Sequence, residues 1–235
     1  MTAALSGSHC ASLAVMDPVG AYTADRAAAL SGVPKSTIHW WARHDVLVPS
    51  VSATRVMLWS YADLMGLRVI YWLRQRKTTK LGVEIPRTSM PAVRRALKEL
   101  RALEVSIWDR ERPSLLVDTR GQIYVKARDG VQNLARQVVR EDVLDLIAPF
   151  PTAEGTRGPD LVAPRAELRI VPGKLSGSPH VVHTRLETRA LAALAADGFD
   201  VAGIQRLYPY VSPPQIAQAL ELERQLDDNL HKRAA

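Results

Sequence analysis

Apolar residues recur at helical spacing near both ends of the chain and fall into short strand-like runs between them. The most regular opening stretch is Tyr22 to Arg43, and it predicts two short helices joined by a tight turn. Thr23 is placed to cap a helix starting at Ala24, and Arg26 to Leu30 have high helix propensity. Ser31-Gly32 ends that helix, because glycine accepts the left-handed backbone of a helix terminus. Pro34 suits the start of the next helix, where a missing N–H costs nothing. In that second helix Ile38 and Trp41 turn inward, leaving Lys35, Ser36, Thr37 and His39 as its polar side. A helix anchored by one apolar face with a free polar face is the layout of a helix-turn-helix, whose second helix reaches base edges and phosphates. A plain αα-hairpin uses the same caps.

The pattern continues with a β-rich stretch, Val51 to Trp59, around a polar tip at Ser52-Ala53-Thr54-Arg55, expected as a two-stranded wing with Arg55 near its tip. Ser60 and Asp63 have the spacing of a capping box for a helix from Tyr61 to about Arg76. A further amphipathic helix runs from Ser89-Met90-Pro91 to about Ala102, with Val93, Leu97 and Leu100 on its apolar stripe. Residues 105–108, 115–117 and 123–126 read as strands, and 131–147 as mainly helical. The Pro- and Gly-rich stretch 151–165 reads as a linker. A strand near Leu168 and three helices, 187–196, 201–207 and 212 to about 226, complete the chain; Ser212 is placed to cap the third, and Leu191, Leu194, Ile204, Leu207, Ile216, Leu220 and Leu222 are expected to supply most of their core. The fold class expected is mainly α with small β elements (α+β). Its parts are a flexible leader over 1–20, a winged helix-turn-helix over 21–104, an α/β middle segment over 105–150, the linker and a helical domain over 166–235.

Charge sharpens the picture. The chain of 235 residues carries a net charge of +7. Residues 1–105 hold 14 Lys and Arg against 7 Asp and Glu, residues 106–170 hold 10 against 10, and residues 171–235 hold 7 against 7. The whole excess lies in the part that contains the helix pair, as expected of a surface that meets a phosphate backbone. A single cysteine, Cys10, excludes an internal disulfide and fits a reducing cytosol. No apolar run approaches the ~20 residues of a membrane span. Neither a phosphate-binding glycine loop nor an H-E-x-x-H motif occurs. His180 and His183 lack further ligands for a metal, and Asp227-Asp228 reads as a solvated pair. No catalytic residues, metal or cofactor are expected.

Two stretches resemble known families. Residues 22–74 resemble the winged helix-turn-helix of the MerR family, in the string YTADRAAALSGVPKSTIHWW, the Leu47-Val48-Pro49 turn, Arg55, Trp59 and the capped Ser60-Tyr61-Ala62-Asp63 helix. The Gly-Tyr-Arg triplet usual in that family's wing is missing. The resemblance implies DNA contact through Lys35, Ser36, Thr37, His39, Trp40 and Arg43, with Arg55 on the wing. Residues 166–222 resemble the domain of unknown function 433 family, in Gly177-Ser178-Pro179, His183-Thr184-Arg185, Asp197-Gly198 and Tyr208-Pro209. The order of parts resembles a VapB-type antitoxin, which implies a homodimer on double-stranded operator DNA and a PIN-domain ribonuclease toxin as protein partner. Arg110, Arg112, Arg157 and Arg165 are then the candidates for contacting the toxin's carboxylate cluster. The alternative is an effector-responsive regulator with a ligand pocket in the middle segment.

Overall fold

The computed structural model describes residues 19–78, 84–102, 114–120, 122–127, 130–133, 143–153 and 155–231. Short-range chemistry sets the first elements. A two-residue strand, β1 (Tyr22–Thr23), runs into α1 (Ala24–Ser31), where the Thr23 hydroxyl accepts the Arg26 N–H. Gly32, at φ 79°, ends α1 and returns its N–H to the Ala28 carbonyl. After Pro34, α2 (Lys35–Arg43) begins and buries Ile38 and Trp41 against α1. β2 (Leu58–Trp59) pairs antiparallel with β1, and Ser52 bridges Leu58 on its other side. The Ser60–Asp63 capping box opens α3 (Tyr61–Arg74) as expected, and the same carboxylate also accepts the Ser50 N–H and hydroxyl. A small hairpin, β3 (Lys77–Thr78) with β4 (Glu84–Ile85), leads to α4 (Met90–Ala102), which packs back on α3.

The middle segment is an antiparallel sheet in the order β7-β6-β5-β8, built from β5 (Ser114–Asp118), β6 (Ile123–Ala127), β7 (Gly130–Asn133) and β8 (Val143–Asp145). The strands expected at 115–117 and 123–126 fall within β5 and β6. The helix expected over 131–147 is not formed by the described residues at either end of that range, which are the strands β7 and β8. Cross-strand pairing to β6 and β5 decides the outcome there, because a continuous apolar run is ambiguous between the two periods. Residues 105–108 lie outside the described residues, as does the expected leader except for Val19 and Gly20. Those two are held, the Val19 carbonyl accepting the Tyr61 N–H at 2.9 Å.

The expected linker is instead a packed strap. β9 (Phe150–Pro151) and β10 (Arg157–Gly158) form a hairpin, and Phe150, Thr156, Asp160 and Leu161 are buried. Glycine permits this packing. A Cβ on Gly158 would lie 2.6 Å from the Ser31 carbonyl oxygen, and one on Gly32 would lie 2.6 Å from the Gly158 nitrogen. The strap therefore touches the turn between α1 and α2.

Beyond it, β11 (Leu168–Arg169) pairs with β12 (His180–Val181), and α5 (Thr188–Ala196), α6 (Val201–Leu207) and α7 (Pro213–His231) follow. Leu191, Ile204, Ile216 and Leu222 are buried among them, whereas Leu207, expected in this core, faces outward. A single cluster of buried apolar side chains runs from Tyr22 through α3 and the strap to Leu226 of α7. The architecture is mixed α+β, mainly α, with small antiparallel sheets.

Candidate nucleic-acid interface

The turn geometry presents α2 outward. Lys35, Ser36 and Arg43 are exposed, Thr37 and His39 are half-buried, and Trp40 keeps 50% of its surface accessible. Trp40 does not hang free. Its ring stacks on His44, with centroids 4.1 Å apart and planes 21° apart, while the His44 Nδ1 meets the Trp40 carbonyl at 2.8 Å. An i,i+4 stack of this kind presents a large flat side chain in one orientation. Arg43 Nε donates to the His39 carbonyl at 3.3 Å, and the Lys35 ammonium is paired with the Asp25 carboxylate of α1. Arg55 lies exposed in the loop between the bridged residues Ser52 and Leu58. The seven residues expected to meet DNA thus lie on the second helix and the wing loop, the two elements that carry contacts in such motifs.

What holds this surface from behind was not anticipated from the sequence. Arg68 on α3 is fully buried and donates to six backbone carbonyls. Nη2 reaches Leu30 (2.9 Å) and Pro159 (2.6 Å), Nε reaches Ser31 (3.2 Å), and Nη1 reaches Leu146 (2.9 Å), Ile147 (3.3 Å) and Ala148 (2.9 Å). Its guanidinium also lies 5.6 Å from the Phe150 ring centroid. Leu30 and Ser31 are the last residues of α1, whose carbonyls have no partner within the helix. Burial lowers the Arg68 pKa to about 10, a shift opposed by Tyr61, Asp160 and Asp145. The group therefore stays protonated at neutral pH. One signal could have found it. The helix from Tyr61 to Leu73 is apolar on every side apart from Asp63 and Arg68, so a charge there must be enclosed.

The C-terminal helices dock on the back of α1. Arg26 forms a bidentate pair with Glu223 of α7, both bonds 2.7 Å, and Glu223 also accepts the Thr188 hydroxyl. Asn229 donates to the Ala29 carbonyl at 3.0 Å, and the Tyr22 hydroxyl donates to the Gly177 carbonyl at 2.9 Å. Burial pushes the Tyr22 phenol well above its ordinary range, so it remains a donor. The loop Leu175-Ser176-Gly177 has three successive residues at positive φ (52°, 51° and 82°), and the Ser176 carbonyl accepts the Ala21 N–H. A Cβ on Gly177 would lie 2.0 Å from the Tyr22 hydroxyl, so only glycine allows the contact.

Of the four arginines expected to face a toxin, Arg110 and Arg112 lie outside the described residues. Arg157 and Arg165 line one open cleft of about 500 Å³ between the strap and α7, together with Asp160, Glu221, Arg224 and Asp228. Arg165 is already engaged, with Nη2 2.7 Å from Gln225 Oε1 and 3.1 Å from the Glu221 carboxylate. The Arg157 backbone is clamped by Asn229 and Gln225. His180 is buried with Nδ1 3.0 Å from the Ser178 carbonyl, and His183 sits apart on an exposed turn. No described helix is long and apolar enough to cross a membrane.

A short first helix, a tight glycine turn, an exposed basic second helix and an adjoining wing loop together define a DNA-binding regulatory domain of the winged helix-turn-helix class. Comparison with protein families points the same way for the first part of the chain. Residues 22–84 match the MerR HTH family regulatory proteins, and residues 169–222 match the family described as protein of unknown function, DUF433. No curated protein and no solved structure matches the chain.

Proposed function

We propose that this chain is an operator-binding autorepressor and the antitoxin of a toxin–antitoxin pair, with a PIN-type ribonuclease as the toxin. The observation that carries the DNA part is the outward face of α2: Lys35, Ser36, Trp40 and Arg43 remain accessible, whereas α1 behind them packs on α3, the strap and α7. Arg55, exposed in the wing loop, offers a further cation. Lys35 is shared with Asp25 and contributes less charge to phosphate than Arg43 or Arg55. The antitoxin part is supported by the pairing of a MerR-type domain with a DUF433 module, and by the cleft in which Arg157 and Arg165 stand beside Arg224.

The DNA reading is tested with a duplex taken from upstream of the chain's own reading frame, titrated by fluorescence anisotropy at several salt concentrations. Arg43→Ala and Arg55→Ala should each weaken binding and reduce the slope of log affinity against log salt by about one. Slopes equal to wild type for both would remove these residues from the DNA face. Co-expression with the product of the neighbouring reading frame tests the antitoxin reading. A PIN-type chain that co-purifies and loses its ribonuclease activity supports it. A neighbouring efflux pump or metabolic enzyme, with no such complex, favours the effector-responsive regulator.

A further inference from the structure

We propose that Asp25 is a specificity-determining residue of the DNA face: by holding the Lys35 ammonium it withholds that cation from phosphate and reserves it for the neutral acceptors of a guanine edge. The inference rests on the reading of α2 as the DNA-contacting helix. Lys35 is the first residue of α2, and the N-terminal residues of a reading helix are the ones that meet base edges. Asp25 lies in the first turn of α1, and its carboxylate pairs with Lys35 Nζ. Lys35 keeps 49% of its side chain accessible and Asp25 55%, so both charges are within reach of a ligand.

The narrow margin of charge makes this carboxylate count. Residues 19–59, which span the helix pair and the wing loop, hold four Lys and Arg against two Asp. Arg26 is taken by Glu223 in its bidentate pair. The second acid, Asp45, lies past the end of α2 and lines a small cleft with Arg94 and Lys98 of α4. That leaves Lys35, Arg43 and Arg55 to face DNA, and of these only Lys35 has an acidic partner among the described residues.

Two kinds of acceptor compete for the ammonium, and Asp25 acts on them differently. A phosphate close enough to bond Lys35 also stands beside the carboxylate, well inside the screening length of about 10 Å at roughly 0.1 M salt, and the two anions repel. Toward the backbone the pair therefore brings no net charge. A guanine edge is neutral and offers O6 and N7. The ammonium has three donors, so it can keep one on Asp25 and direct the others at the base. An acid in the first turn also favours α1 through the helix dipole, but that contribution carries no preference between one duplex and another.

Fluorescence anisotropy of the full chain on the operator duplex and on a scrambled duplex of equal composition, over a range of salt concentrations, tests the proposal. Asp25→Asn should tighten binding to the scrambled duplex about 3- to 8-fold near 0.1 M salt and steepen its log–log salt slope by about one, as one more phosphate contact does. Operator affinity should change less, so the ratio of the two affinities falls. Asp25→Glu, which keeps the charge, should retain the wild-type ratio. A merely structural role for Asp25 predicts the opposite sign, weaker binding of Asp25→Asn to both duplexes. Lys35→Ala should leave the scrambled-duplex slope unchanged on its own and lower it by about one in the Asp25→Asn background. 7-Deazaguanine, which lacks the N7 acceptor, is placed at each operator guanine in turn. At one position or more it should weaken the wild type and leave Lys35→Ala unaffected. An Asp25→Asn chain with wild-type affinities and slopes, or no guanine whose N7 effect depends on Lys35, overturns the proposal and leaves α2 on the DNA. A wild-type chain with no salt-dependent binding to either duplex overturns both.

Discussion

Arg68→Met is the most informative single perturbation, because the two side chains are similar in length and only one can donate. Six backbone carbonyls converge on the guanidinium, and the Ile147 carbonyl also accepts the Leu161 N–H at 2.9 Å. Hydrogen bonds to a charged group contribute about 1.5–3 kcal/mol each, which the desolvation of a buried cation largely offsets. Removing the donor leaves the carbonyls enclosed with a thioether, and a net loss of about 3–5 kcal/mol is expected. In a protein of this length 1 kcal/mol moves the melting midpoint by roughly 2–4 °C, so the variant should melt roughly 6–20 °C below wild type. Arg68→Lys should not rescue it. An ammonium keeps the charge but has three donors on a compact head, too few for six acceptors in a fan. Urea unfolding followed by circular dichroism gives the free energies directly. Both variants unfolding within about 1 kcal/mol of wild type, the ordinary range for an inconsequential site, would refute the role assigned to this residue.

Gly177→Ala should destabilise by more than about 2 kcal/mol, since the new methyl collides with the Tyr22 hydroxyl at a left-handed backbone position. Tyr22→Phe, which loses only the bond, should cost about 1 kcal/mol in the same melt. Arg26→Met and Glu223→Gln should each cost on the order of 1–3 kcal/mol, and a double-mutant cycle should show coupling between them; additive losses would mean the pair contributes nothing. His180 gives a pH signature. Burial, with help from Lys174 and Arg169, holds its pKa below the ordinary 6.5, against the Ser178 carbonyl and Glu187. The unfolded chain therefore takes up the proton first as pH falls. The stability owed to a neutral His180 is complete above pH 6.5 and is lost as pH falls towards the folded value. His180→Gln should flatten the fall of the melting midpoint in that window, and an unchanged pH profile would contradict it.

The caps were legible because they depend on neighbours a few residues apart. Thr23, Gly32, the Ser60–Asp63 box and the Ser212 cap of α7 all occur where their spacing placed them. Helices 188–196 and 201–207 matched closely for the same reason. The strap was misjudged because Pro and Gly signal both loops and close backbone approach, and only the second partner tells them apart. That partner, the turn at Ser31-Gly32, is over a hundred residues away. Leu207 was assigned to the core by spacing alone, but a helix of two turns has room for one buried row, and Ile204 fills it. Of the DNA face, residue identities were readable. The Lys35–Asp25 pair and the Trp40–His44 stack required the actual geometry of α1 against α2.

The contacts that α7 makes with Arg26 and Ala29 have a consequence for biosynthesis. Translation proceeds at about 5–20 residues per second, so on the order of ten seconds separates the emergence of the reading head from that of the helix that backs it. During this interval α1 leaves the ribosome with its rear flank bare, and Arg68 has no strap to grip. The contacts behind α1 are thus completed only after α7 has been made, and a nascent chain interrupted upstream of α7 keeps that flank exposed.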